Sequence, residues 1–197
     1  MASLSGGVMD TLTTDMLLAT HYPAVVVPTA PVSTVFSHIQ LIRLILNFQQ
    51  KLGSLGVRSQ DTVAIACPNS LEFVVAFLAT TSSRAIAAPL NSAYKQSEFE
   101  FYFSDLQPSV LLVPKGSLLQ NTPAIQAAQT CKVPIAEIHF DLDAITVAEY
   151  IKMGRIIEPA LPEQPRPDDI ALVLHTSGTT GRPKIVRIDN FHLRPSC

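Results

Sequence analysis

The chain has 197 residues, a net charge of −2, and 15% charged against 47% hydrophobic residues. That length holds one domain with a sizeable core, and the near-neutral charge offers no basic field for nucleic acid. So large an apolar share favours strands buried on both faces, as in an α/β sheet, over a half-solvated meander.

Residues 1–20 are small, polar and unpatterned, and read as a loose lead-in. Arg43 is the first Lys or Arg, which argues against a secretory signal or a transit peptide. Ser33 is placed to cap a helix whose apolar positions Val35, Ile39, Ile42 and Leu46 step by four, three and four, with Gly53 as its stop. TVAIA (62–66) reads as a short buried strand. Asn69-Ser-Leu-Glu72 resembles a capping box opening the helix LEFVVAFLATTS, and AIAAPL is the next strand. The most apolar stretch runs through this helix and strand. Thr80, Thr81, Ser82, Ser83 and Arg84 interrupt it, so it is no membrane span.

In SEFEFYFSDLQP, Phe99, Phe101 and Phe103 alternate as in a strand, while Phe99, Tyr102, Phe103 and Leu106 step as in a helix. We read a helix ended by Pro108, with the aromatic cluster in the core. SVLLV (109–113) is a strand. Thr122-Pro123 starts a short helix with Pro at its first position, and VPIAEIHF is a further strand. Apolar runs alternating with helical ones predict βα units and a mainly parallel sheet with flanking helices. Pro159, Pro162, Pro165 and Pro167 make a stiff linker leading to Asp168-Asp169, read as a solvated turn, and to the strand IALVLH. His175, at that strand's end, reads as packed rather than catalytic. The cysteines, Cys67, Cys131 and Cys197, are far apart and odd in number, which fits free thiols in a reducing compartment. The five histidines show no HxH or HExxH spacing, so no metal site is expected.

The strand runs into HTSGTTGRPK (175–184). Glycine, serine and threonine after a strand usually mean only a turn. This loop is denser than that. Gly178 and Gly181 allow close backbone approach to a ligand, Thr176, Ser177, Thr179 and Thr180 add hydroxyl donors, and Lys184 adds a mobile charge. Such a set suits polyphosphate oxygens. It is not a Walker loop: two residues, not four, separate the glycines, and Ile185 follows the lysine. It is not GxGxxG either.

TSGTTGRPK resembles the phosphate-binding loop of the adenylate-forming superfamily, the acyl-CoA synthetases and their relatives. LEFVVAFLATT, AAPLN and YKQSEFEFYFSDL are similar, in the same order, to the opening half of that family's large N-terminal domain. APLN-x-x-YK-x-x-EFEFY followed by DDIALVLHTSGTT looks most like the fungal peroxisomal CoA synthetase and oxalate–CoA ligase branch. The resemblance implies an α/β fold and an ATP-dependent acid–CoA ligase. It implies ATP, Mg2+ and coenzyme A as small-molecule partners, and a small carboxylic acid as substrate. It assigns the outgoing phosphates to Thr176, Ser177, Gly178, Thr179, Thr180, Gly181 and Lys184, with Pro183 stiffening the exit so that Lys184 points from a defined place. Arg84 stands where much of the family has Gly, and reads as a branch feature or a structural salt bridge.

The family pattern continues well beyond this loop. By resemblance, residues 21–193 are a partial AMP-binding domain and 194–197 a divergent tail. The C-terminal subdomain and its catalytic lysine are absent, so no residue here is assigned a catalytic role. The expectation is a truncated, inactive chain, the alternative a non-catalytic nucleotide-binding or interaction fragment. Location is expected to be cytoplasmic or peroxisomal, although the ending Pro-Ser-Cys is not S-K-L.

Overall fold

A computed structural model describes residues 20–28, 32–176 and 184–193. The expected lead-in, but for Thr20, and the tail 194–197 lie outside those residues. Two strands, β1 (Pro23–Val27) and β2 (Thr34–Ser37), form an antiparallel pair that the sequence reading missed. Helix α1 (His38–Ser54) follows directly. Its cap is Ser37, not Ser33: the Ser37 hydroxyl accepts from the Gln40 amide while the Gln40 side chain accepts from the Ser37 amide. Val35 therefore belongs to β2, and the buried stripe is Leu41, Leu44, Ile45, Phe48 and Leu52, with Leu46 exposed. Gly53 lies within the last turn rather than past it, and the proline-rich segment packs there: the Ala160 amide donates to the Gly53 carbonyl at 2.9 Å.

The βα alternation stands as expected. β3 (Thr62–Ile65), α2 (Leu71–Thr81), β4 (Ile86–Pro89), α3 (Gln96–Leu106) and β5 (Val110–Pro114) follow in order. The short α4 (Ser117–Gln120), which the sequence reading missed, then α5 (Pro123–Cys131, Pro at its first position) and β6 (Ile135–Asp141) complete this part. The residue capping α2 is Ser70, whose hydroxyl accepts from the Phe73 amide. Glu72 thus sits one place too early to close a capping box, and its carboxylate accepts from the Phe140 amide of β6 instead. β7 (Ala144–Ile151), unread from sequence, folds back antiparallel on β6. β8 (Ile170–Thr176) and β9 (Lys184–Asp189) form a hairpin stem, and α6 (Asn190–Leu193) closes the described part.

The seven strands run in the order β7-β6-β5-β3-β4-β8-β9, parallel from β6 to β8 with an antiparallel strand at each edge. Pleating sends alternate side chains to opposite faces. Val63, Ile65, Val110 and Leu112 pack against α1 and α2, and Ala64, Ala66, Leu111 and Val113 against α3 and α5. Phe99 and Phe103 are core, as read, but Phe101 between them points outward and is 41% exposed. No helix among the described residues is long and apolar enough to cross a membrane.

Candidate functional site

Parallel α/β sheets bind ligands beyond the carboxyl ends of their strands, where loops gather. β8 ends there at Thr176, and β9 starts at Lys184 directly opposite it. The Thr176 hydroxyl donates to the Lys184 carbonyl at 3.4 Å. Of the predicted site residues, Thr176 and Lys184 are thus brought together as the last pair of the stem. Cross-strand partners share a face of the sheet. Ser177, Gly178, Thr179, Thr180 and Gly181, with Pro183, lie outside the described residues.

β8 is parallel to β4, with Ala87 opposite Leu172, so both strands end at the same rim of the sheet. At that rim a cleft of about 400 Å³ is lined by Cys67, Asn69, Phe73, Pro89, Asn91 and Ser92. Burial, followed by the nearby Glu72 carboxylate, pushes the Cys67 thiol up to about 12. Cys67 and Cys131 are free thiols, and burial raises Cys131 as well. Neither supplies a thiolate nucleophile near neutral pH.

His175 is packed, as its sequence position implied. Its side chain is 4% exposed, its Nε2 lies 3.1 Å from Asp105 Oδ2, and its ring lies 4.4 Å from that of Tyr102. Burial, then the neighbouring Tyr94, pushes the Tyr102 phenol up to about 12.

Asp168 is exposed in a turn, as expected, but Asp169 beside it is not solvated. Asp169 is buried, and its carboxylate accepts from Arg84 Nε at 2.7 Å, from Arg84 Nη2 at 3.3 Å and from the Arg166 amide at 2.8 Å. Burial alone would raise the Asp169 pKa; those hydrogen bonds outweigh it and hold the carboxyl below its ordinary value. Arg84 also reaches Glu163 at 2.8 Å, and the bonds to Asp169 and then Glu163 hold the guanidinium above its already high range. The salt-bridge reading of Arg84 is therefore correct. Arg84 adopts φ 61°, a left-handed backbone that glycine takes most easily, which is consistent with the glycine common in the resembling family. With its oxygens committed to Arg84 and Arg166, Asp169 is not free for a metal. No group of three His, Cys, Asp or Glu among the described residues is arranged to hold one.

The profile described as AMP-binding enzyme matches residues 20–193. The chain is 40% identical over 162 residues to an oxalate–CoA ligase of Arabidopsis thaliana, covering 81% of this chain and 31% of that protein. It is 39% identical over 153 residues to an oxalate–CoA ligase of Saccharomyces cerevisiae, covering 68% of this chain and 28% of the yeast protein. It thus spans about a third of the length of these relatives. Among solved structures, apo MatB from Rhodopseudomonas palustris superposes with a TM-score of 0.68 over 91% of this chain and 35% of MatB, at 22% identity, a likeness of fold. The fold and the matched profile agree, and the chain belongs to the AMP-binding enzymes of the adenylate-forming superfamily.

Proposed function

We propose that this chain carries the phosphate-binding part of an ATP-dependent acid–CoA ligase. In that reaction an acid's carboxylate oxygen displaces pyrophosphate from the α-phosphorus of ATP. The thiol of coenzyme A then displaces AMP from the acyl adenylate, releasing its proton and forming the thioester. The observation that carries the reading is the pairing of Thr176 with Lys184 at the carboxyl end of β8. It puts a hydroxyl and an ammonium-bearing residue at the two ends of the glycine- and hydroxyl-rich segment.

In this reading Thr176, Ser177, Gly178, Thr179, Thr180, Gly181 and Lys184 hold the departing β- and γ-phosphates. Fixed donors aimed at growing negative charge lower the barrier to its departure. In this reading Mg2+ enters bound to the phosphates of ATP. Lys184 is a binding group, not the adenylation lysine. The acid is a small carboxylic acid; oxalate is the one named for both relatives. A cytoplasmic or peroxisomal location accompanies the proposal.

Titration calorimetry of the 197-residue chain with magnesium pyrophosphate tests it. Wild type should bind, and Lys184→Ala should bind about tenfold more weakly, with a smaller salt dependence. Equal binding by both proteins, or none by wild type, overturns the assignment. Exchange of labelled pyrophosphate into ATP, with oxalate as the acid, then separates a ligase from a non-catalytic nucleotide-binding fragment, which binds without exchange.

A further inference from the structure

Among the described residues, the hairpin stem β8–β9 is joined to the parallel sheet along β4, on one side of β8. Two side-chain pairs fasten it as well, one at each end of β8. At the base, Asp169 is held by Arg84, the residue two before β4, while the Asp169 carbonyl accepts from the Asn190 amide at 3.0 Å and from its side chain at 3.3 Å. At the tip, one residue before Thr176, His175 is held by Asp105 of α3.

The tip pair has features that packing alone does not require. Asp105 lies in the last turn of α3, where helix carbonyls point outward and a carboxylate is disfavoured; no basic residue occupies that turn. A hydrogen-bond donor from another element relieves that placement. The carboxylate only accepts, so His175 Nε2 carries the proton. The imidazole is also clamped on a second side by the buried ring of Tyr102. A directional hydrogen bond, the tilted contact with Tyr102 at 52° and an edge contact with Phe101 together fix the ring's position and tilt. The backbone of His175 follows, and with it Thr176 and, across the ladder, Lys184.

We propose that His175, acting through Asp105, is a positioning residue for the Thr176–Lys184 stem. This rests on the phosphate-binding reading above. The base pair of Arg84 and Asp169 holds the hairpin to the domain; the tip pair sets where its two ligand-facing ends lie. Loss of the tip pair therefore weakens phosphate binding while leaving the fold's stability nearly unchanged.

The test compares Asp105→Ala, His175→Phe and Asp105→Asn in the full chain, by titration with magnesium pyrophosphate and by thermal melting. Asp105 is 38% exposed, so its truncation leaves no buried void, and Phe at 175 keeps an aromatic ring against Tyr102. Asp105→Ala and His175→Phe should each weaken pyrophosphate binding about five- to tenfold, because the stem ends are no longer held where the ligand needs them. Asp105→Asn, which retains an acceptor oxygen, should restore most of it. Melting temperatures should stay within about 3 °C of wild type. Wild-type binding with unchanged affinity in Asp105→Ala and His175→Phe overturns the positioning role alone. So does a loss of affinity that tracks a large fall in melting temperature. Absence of wild-type binding removes the phosphate-binding reading and this proposal with it.

Discussion

Arg84 grips the Asp169 carboxylate through two nitrogens across 85 residues of sequence, and this pair anchors the start of β8 beside the start of β4. Both side chains are largely sheltered, 16% and 9% exposed, so each neutralises a charge that the interior would otherwise disfavour. Asp169→Asn leaves Arg84 without its main counter-charge, and is expected to lower the melting temperature by about 2–4 °C for each kcal/mol lost. Arg84→Gly is a sharper probe, since glycine accepts the φ of 61° without strain. It should destabilise too, because Asp169 is then buried unpaired. A melting curve that matches wild type for both variants would show the pair to be energetically idle.

The same carboxylate gives the fold an acid-side dependence. The folded-state pKa of Asp169 is lowered, so its contribution is complete above the ordinary carboxylate range and is lost as pH falls through the folded value. Glu72 adds in the same direction: burial raises it, but its own amide, the Phe140 amide, the Ser70 hydroxyl and His139 bring it below its ordinary value. Wild type should therefore lose stability between about pH 5 and about pH 2. The gap between wild type and Asp169→Asn should narrow over that window. Urea midpoints measured across it check the sign.

Gly53 is predicted to resist the substitution that helix propensity favours. In an open helix Ala is better than Gly by about 1 kcal/mol. Here a Cβ would run into the Ala160 carbonyl oxygen, a backbone atom of the proline-rich segment. Gly53→Ala must push that segment off the end of α1, and overpacking of this kind costs about 1–3 kcal/mol. Denaturant unfolding should show net destabilisation. A gain would mean the segment shifts freely.

Cys67 should be slow to modify. Its thiol is 7% exposed and pushed up to about 12, so little thiolate forms near neutral pH. A thiol reagent near pH 8 should label it much more slowly in the native chain than in urea. Cys67→Ala should retain whatever nucleotide binding the wild type shows.

Where side chains are buried on a regular period, the sequence was readable. The βα units from β3 to β6 carry their signals locally: the apolar runs, Ser70 before α2, Pro123 opening α5. The aromatic ambiguity of 99–103 resolved to a helix because Phe99, Tyr102 and Phe103 share one face against the sheet. β7 was missed because an edge strand buries little; only Ile145 of its eight residues is fully covered. Val35 was counted into α1 because its spacing fits a helix as well as β2, and only the cap at Ser37 decides. Asp169 looked like half of a solvated acidic turn because its partner is remote in sequence. The motif around Gly178 and Gly181 named the candidate site, but not the tie from His175 to α3, which no local spacing reveals.

The strand order has a consequence for the time course of folding. β3, β4, β5 and β6 find their sheet neighbours within a short stretch of chain, yet the slot on the free side of β4 is filled only by β8, after β5, β6, β7 and the proline-rich segment have passed. Closing so long a loop is slow compared with local pairing. On a ribosome that slot waits open until β8 has emerged, so among the described strands the β8–β9 hairpin docks after β3 to β7, and until then the free side of β4 is open to a competing strand edge.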